Sequence, residues 1–201
     1  MPQSSPPPPL GQLLRGATFH YVRLLGNGHR ALREVESALA ATPTDRVLDF
    51  ACGAGGFCQA VPGEYLGIDL SANSVAFARW RWGSPRRRFE VMPLEALPDE
   101  PRFDKAMAVN CVHHLSDAEA DAILGRLARL TRRRVVVVDL DLDDSNPFQA
   151  FLIAHDRGQH VRRLDGLRAV LSRHLVIEEE RVFRNTPRTA VQVLFACRPR
   201  G

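Results

Sequence analysis

Asp49 and Asp69 each close a short apolar run, and between them the chain passes through Ala51, Gly53 and Gly55. Small residues at alternate positions let a ligand come close to the backbone, and a turn built from them leaves N–H groups facing outward. A carboxylate at Asp49 suits a ligand that carries positive charge, whereas a pyrophosphate prefers none there. Asp69, ending the second run, is placed to accept hydrogen bonds from both hydroxyls of a ribose. A dinucleotide-binding turn requires G-x-G-x-x-G, its last glycine letting helix and strand pack closely. Counted from Gly53 and Gly55, that position is Cys58. An adenine-dinucleotide oxidoreductase is therefore disfavoured.

Imidazoles and guanidiniums make the second chemical group. His113 and His114 follow the fourth strand-like run, and imidazole takes up a proton near neutral pH. His114 is the candidate base, with His113 lining the substrate pocket. The densely polar stretch from His155 to Leu164 has no core to fill. Arg157, His160 and Arg162 are expected there to hold an acidic or phenolic substrate, and His155 is a second candidate base. The alternative is a loop pinned by a salt bridge between Asp156 and an arginine. Tyr21, in the segment before the first strand, is a further candidate for substrate contact. No third ligand stands at a recognisable spacing from the paired histidines, and the four cysteines form no C-x-x-C pair, so no metal is expected.

The elements that must position these groups alternate along the chain. Short apolar runs ending near Phe50, Asp69, Met92, Val109 and Leu140 read as strands. Val135-Val136-Val137-Val138 is the composition of a strand covered on both faces. Between them lie helical stretches: His29 to Ala41, a helix opening at Phe57, one capped at Ser71 and stopped by Gly83-Ser84-Pro85, and one opened by the capping box Ser116–Glu119. Two more helices are expected over 148–154 and 165–174. Leu175–Phe183 and Ala190–Ala196 flank a turn around Asn185–Arg188 and predict an antiparallel hairpin.

The series acidic-x-small-x-Gly-x-Gly, read as Asp49, Ala51, Gly53 and Gly55 with Asp69 beyond it, resembles the class I S-adenosylmethionine-dependent methyltransferases over residues 16–199. The resemblance implies an α/β fold, a Rossmann-like three-layer sandwich around a seven-stranded, mostly parallel sheet whose last strand is antiparallel. It implies S-adenosyl-L-methionine as cofactor, held by the Asp49–Gly55 turn, by Asp69 and Leu70, by Leu94 and Glu95 at the adenine, and by Asn110. Ala51 stands where the family usually has Gly, and Met92-Pro93 stand where it often has Asp. The His113-His114 pair is similar to one in small-molecule methyltransferases resembling those of quinone biosynthesis. Asp156, Arg157, Gly158 and Arg162 match an Asp-Arg-Gly-x-x-x-Arg element of small bacterial methyltransferases. The Pro-Pro motif of amino-methylating nucleic-acid enzymes is missing after the fourth strand, where Asn110-Cys111-Val112-His113 stand. The expected reaction is O-methylation of a phenol or carboxylic acid in metabolite biosynthesis. The alternatives are C- or N-methylation of a small molecule, or a non-catalytic cofactor-binding regulatory protein.

The 201 residues, 45% of them hydrophobic, suffice for one core, so residues 16–201 are expected to form a single domain behind a proline-rich disordered tail over 1–15. No run approaches the ~20 apolar residues of a membrane span and no signal peptide is seen, which predicts a cytoplasmic protein, monomer or homodimer. The +4 balance comes largely from Arg86-Arg87-Arg88 and Arg132-Arg133-Arg134, each just before a strand. Without interleaved aromatics these read as a solvated face rather than a nucleic-acid surface.

Overall fold

The computed structural model describes residues 30–141, 160–184 and 191–200, with Pro9 and Gly11. Tyr21, His155, Arg157, the helix expected over 148–154, the 185–188 turn and nearly all of the N-terminal tail lie outside them.

Helix α1 covers residues 30–39, followed by β1 (Arg46–Phe50), β2 (Glu64–Asp69), α2 (Ala72–Trp82), β3 (Arg87–Val91), β4 (Phe103–Val109), α3 (Asp117–Leu130) and β5 (Thr131–Leu140). Helix α4 (Leu164–Leu171) and strands β6 (Leu175–Arg184) and β7 (Val191–Pro199) complete the described chain. Seven strands form one sheet in the order β3-β2-β1-β4-β5-β7-β6. Only β7 is reversed, pairing antiparallel with β5 and β6.

Local chemistry explains most of these elements. Ser71 caps α2 by accepting from the Ser74 N–H, and at α3 Ser116 and Glu119 cap one another reciprocally. Alternation along the strands sorts the core into two faces. Leu48, Ala106, Ala108, Val135, Val137, Val193 and Phe195 pack under α3 and α4, while Val47, Met107, Val136, Val138, Leu194 and Ala196 pack under α1 and α2. That is a three-layer α/β sandwich.

The first crossover departs from expectation. In place of a helix from Phe57, the structure has a single 3₁₀ turn, Gly56–Ala60, and Val61 is already extended. Pro62 offers no N–H and forces its predecessor out of the α region. Gly63 must follow closely, because a Cβ there would strike the carbonyls of Asp45 and Thr42. At the strands' amino edge most of the triplet arginines are exposed, but the edge also encloses one buried carboxylate. Asp45, 1% exposed, receives Lys105 Nζ at 3.1 Å, Arg133 and the Thr42 N–H, while Arg134 donates to the Ala38 carbonyl at 2.8 Å. Burial alone would raise the Asp45 carboxyl, but these donors outweigh it and hold the group down at about 2.

Candidate functional site

At the carboxyl edge of the sheet the turn after β1 is held in left-handed backbone at Ala51 (φ 56°), Gly53 (φ 53°) and Gly55 (φ 77°). Gly55 is required twice over, since a Cβ there would lie 2.6 Å from the Phe89 ring and 2.9 Å from Ala78 Cβ. Asp69, where β2 ends, fixes the turn: its Oδ2 accepts from the Gly53 N–H and its Oδ1 from the Ser71 N–H, both at 2.8 Å. Trp82, reaching in from α2, donates to the Ala54 carbonyl at 3.1 Å.

Asp49 lies beneath this turn, 1% exposed, where it accepts from the Tyr65 hydroxyl at 2.6 Å. Burial and the Asp49 charge push the Tyr65 phenol up, so it stays a donor. The thiols of Cys52 and Cys58 are likewise pushed up, Cys58 to about 12, chiefly by burial, so neither supplies a thiolate.

Beside Asp69 is an apolar ledge. Leu70 is 74% exposed and Val91, in register with Asp69 on β3, is 46% exposed. Leu94 is instead 1% exposed, in the core, and Arg126 donates to the carbonyls of Leu94 (3.1 Å), Glu95 (3.2 Å) and Leu97, leaving the Glu95 side chain outside. Nothing in the local sequence singles out Val91: its exposure arises because β3 is the edge strand.

The ends of β4 and β5 carry the other group. His113, 3% exposed, directs Nδ1 at Asp139 Oδ1, while its backbone N–H donates to Asp139 Oδ2 at 2.9 Å. Asp139 is fully buried and also accepts from the Leu140 N–H at 2.7 Å. The exposed His114 ring lies 4.1 Å from that of His113, centroid to centroid. The fold brings the C-terminal polar stretch here: the His160 N–H donates to the His113 carbonyl at 3.0 Å. Arg162 donates to the carbonyls of Val112 (3.0 Å) and Leu115 (2.8 Å) and to Asp117 Oδ1 (2.8 and 2.9 Å), depressing that carboxyl. Asn110, at φ 53°, ends β4 and accepts from the Gln192 amide of β7.

A carboxylate at Asp69 with lone pairs left over, the exposed apolar ledge of Leu70 and Val91 and a tight turn of left-handed residues are groups that fit S-adenosyl-L-methionine. Residues 47–134 match the family described as "Methyltransferase domain". This is the fold of the S-adenosylmethionine-dependent methyltransferases. Solved structures that share it include magnesium protoporphyrin IX methyltransferase of Synechocystis with bound S-adenosyl-L-homocysteine: 19% identity, 90% of this chain and 94% of that one, TM-score 0.68. Geranyl diphosphate C-methyltransferase of Streptomyces coelicolor A3(2), in complex with Mg2+, geranyl-S-thiolodiphosphate and S-adenosyl-L-homocysteine, aligns at 16% identity over 85% of this chain and 75% of that one, TM-score 0.69. The YcgJ protein of Bacillus subtilis aligns at 18% identity over 86% and 100%, TM-score 0.66. No curated protein sequence matches the chain. Among the described residues no helix of this methyltransferase-like chain is long and apolar enough to cross a membrane.

Proposed function

We propose that the protein transfers a methyl group from S-adenosyl-L-methionine to an oxygen of a small acceptor that must lose a proton, a phenol or a carboxylic acid. The observation that carries this reading is His113 held by the buried Asp139 at the sheet edge that bears the Asp69 cradle. When bound, the cofactor supplies a methyl group already activated on a sulfonium. What remains for the chain is to orient the acceptor and give its proton a destination. A carboxylate on Nδ1 fixes the tautomer with the proton there and leaves Nε2 as the basic nitrogen. That support favours His113 over His114 as base. Arg162, with Val112, Leu115 and Asp117 as partners, would fix the turn that carries both histidines, and His160 would border the acceptor. Relatives named for geranyl diphosphate and magnesium protoporphyrin IX support a small organic acceptor.

The test is methyl transfer to a panel of phenols and carboxylic acids, run on wild type and on His113→Gln, His114→Gln and Asp139→Asn. The His113 and Asp139 variants should lose kcat by about 100-fold or more with S-adenosylhomocysteine affinity unchanged. His114→Gln should lose less. Cofactor binding with no transfer to any acceptor would make the protein a regulatory binder instead.

A further inference from the structure

The same sheet edge holds a buried polar pair, Asn110 after β4 and Gln192 of β7. Gln192, opposite Leu140 in the sheet, is fully buried and donates to Asn110 Oδ1 at 2.5 Å. Its own Oε1, and Asn110 Nδ2, are buried and make no hydrogen bond. Buried polar atoms are nearly always paired, so an adjacent donor and acceptor left over together call for a ligand. The count does not depend on how the amides are oriented. Turning both round again leaves one donor and one acceptor, and turning only one opposes like atoms. The third such atom among the described residues, Thr131 Oγ1, is a lone hydroxyl at the start of β5, on the opposite edge.

We infer that Asn110 and Gln192 seat a neutral hydroxyl of the methyl acceptor, and that they select a phenol or enol over a carboxylate. The inference rests on the proposed methyl transfer and narrows its acceptor. A hydroxyl offers one donor and one acceptor, the complement of Gln192 Oε1 and Asn110 Nδ2. A carboxylate offers acceptors only. It would set a negative oxygen against Gln192 Oε1 in a site that strips its water. The pair lies at the carboxyl edge of the sheet that also carries Asp139 and His113, with Asn110 three residues before His113 in the chain.

The full-length protein, loaded with S-adenosylhomocysteine, is titrated with 2-naphthol and with 2-naphthoate, which share one ring system. Wild type should bind the naphthol at least about tenfold more tightly. Gln192→Met, of similar volume, should weaken the naphthol about tenfold and leave naphthoate and S-adenosylhomocysteine where they were. Equal or tighter naphthoate binding by wild type, naphthol binding unchanged in Gln192→Met, or binding of neither arene would overturn the inference. The wild-type comparison needs no variant to fold. Failure of wild type to bind S-adenosylhomocysteine would sink the methyltransferase reading itself, a separate outcome.

Discussion

Asp69 is the residue on which the cofactor reading can be tested most directly. Its two carboxylate oxygens are each engaged by one backbone N–H at 2.8 Å, from Gly53 and Ser71, and each has a lone pair left for a ribose hydroxyl. Asp69→Ala therefore removes two kinds of bond. Losing the ribose contacts costs about 1.5–3 kcal/mol of binding, roughly a tenfold to 150-fold rise in Kd. Freeing the exposed Ser71 N–H and the buried Gly53 N–H costs about 1–3 kcal/mol of stability, a fall of roughly 2–12 °C in Tm for a chain of this size. Asp69→Asn keeps the shape but turns one acceptor into a donor facing a backbone N–H, so it should fall between wild type and alanine in stability while losing most of the affinity. Calorimetry with S-adenosylhomocysteine and with 5′-methylthioadenosine reads the first quantity, and thermal denaturation without ligand reads the second. Because methylthioadenosine has the ribose without the amino-acid arm, both ligands should lose affinity equally. A Kd within threefold of wild type would refute the placement. A loss seen only with S-adenosylhomocysteine would move Asp69 to the amino-acid arm.

Two further predictions concern the frame. The Asp45 carboxyl, held at about 2 against an ordinary value of 3.8, stabilises the fold above pH 4, and that contribution disappears as the pH falls through 4 towards 2. With its partner Arg133 half exposed, the worth is about 1–2 kcal/mol. The gap in urea midpoint stability between wild type and Asp45→Asn should thus close by about two-thirds of that amount between pH 6 and pH 2.5, and a pH-independent gap would disprove the coupling. In the turn, Gly55→Ala should cost about 2–4 kcal/mol, from the left-handed backbone and the Phe89 overlap together, whereas Ala51→Gly should change stability by less than about 1 kcal/mol. Equal effects of the two in thermal melts would show that backbone strain alone governs the turn.

The strands were legible because each buried run is apolar and ends on a carboxylate or a turn residue, and the capping box at Ser116 announced α3 to the residue. Much of the site was not legible, for a physical reason: its groups meet across the sheet. Asp139 faces His113 only because β4 and β5 are neighbours, and Gln192 reaches Asn110 only because β7 folds back beside β5. Neither contact leaves a local spacing. Arg162 reads as a substrate cation when all that is visible is a polar loop. In the fold its guanidinium spans Val112, Leu115 and Asp117, 45 residues away from the last of these. The helix expected at Phe57 fails on a local signal, Pro62, five residues into the run of small and apolar residues that suggested it.

That missing helix changes what holds the cofactor. A crossover helix after β1 would point its first N–H groups at the site, but a single 3₁₀ turn supplies little of that field. Orientation of the turn then falls to side chains: Asp69 on the Gly53 N–H, Trp82 on the Ala54 carbonyl, and the Phe89 and Ala78 surfaces against Gly55. The two edges of the sheet show where this arrangement leads. At the amino edge the buried Asp45 is matched by Lys105, Arg133 and a backbone N–H, a closed set that only stabilises. At the carboxyl edge Leu70 and Val91 stand in water and two amide atoms are buried without partners. Stability alone would close both edges, and the one left open is where a purine and a hydroxyl have groups waiting for them.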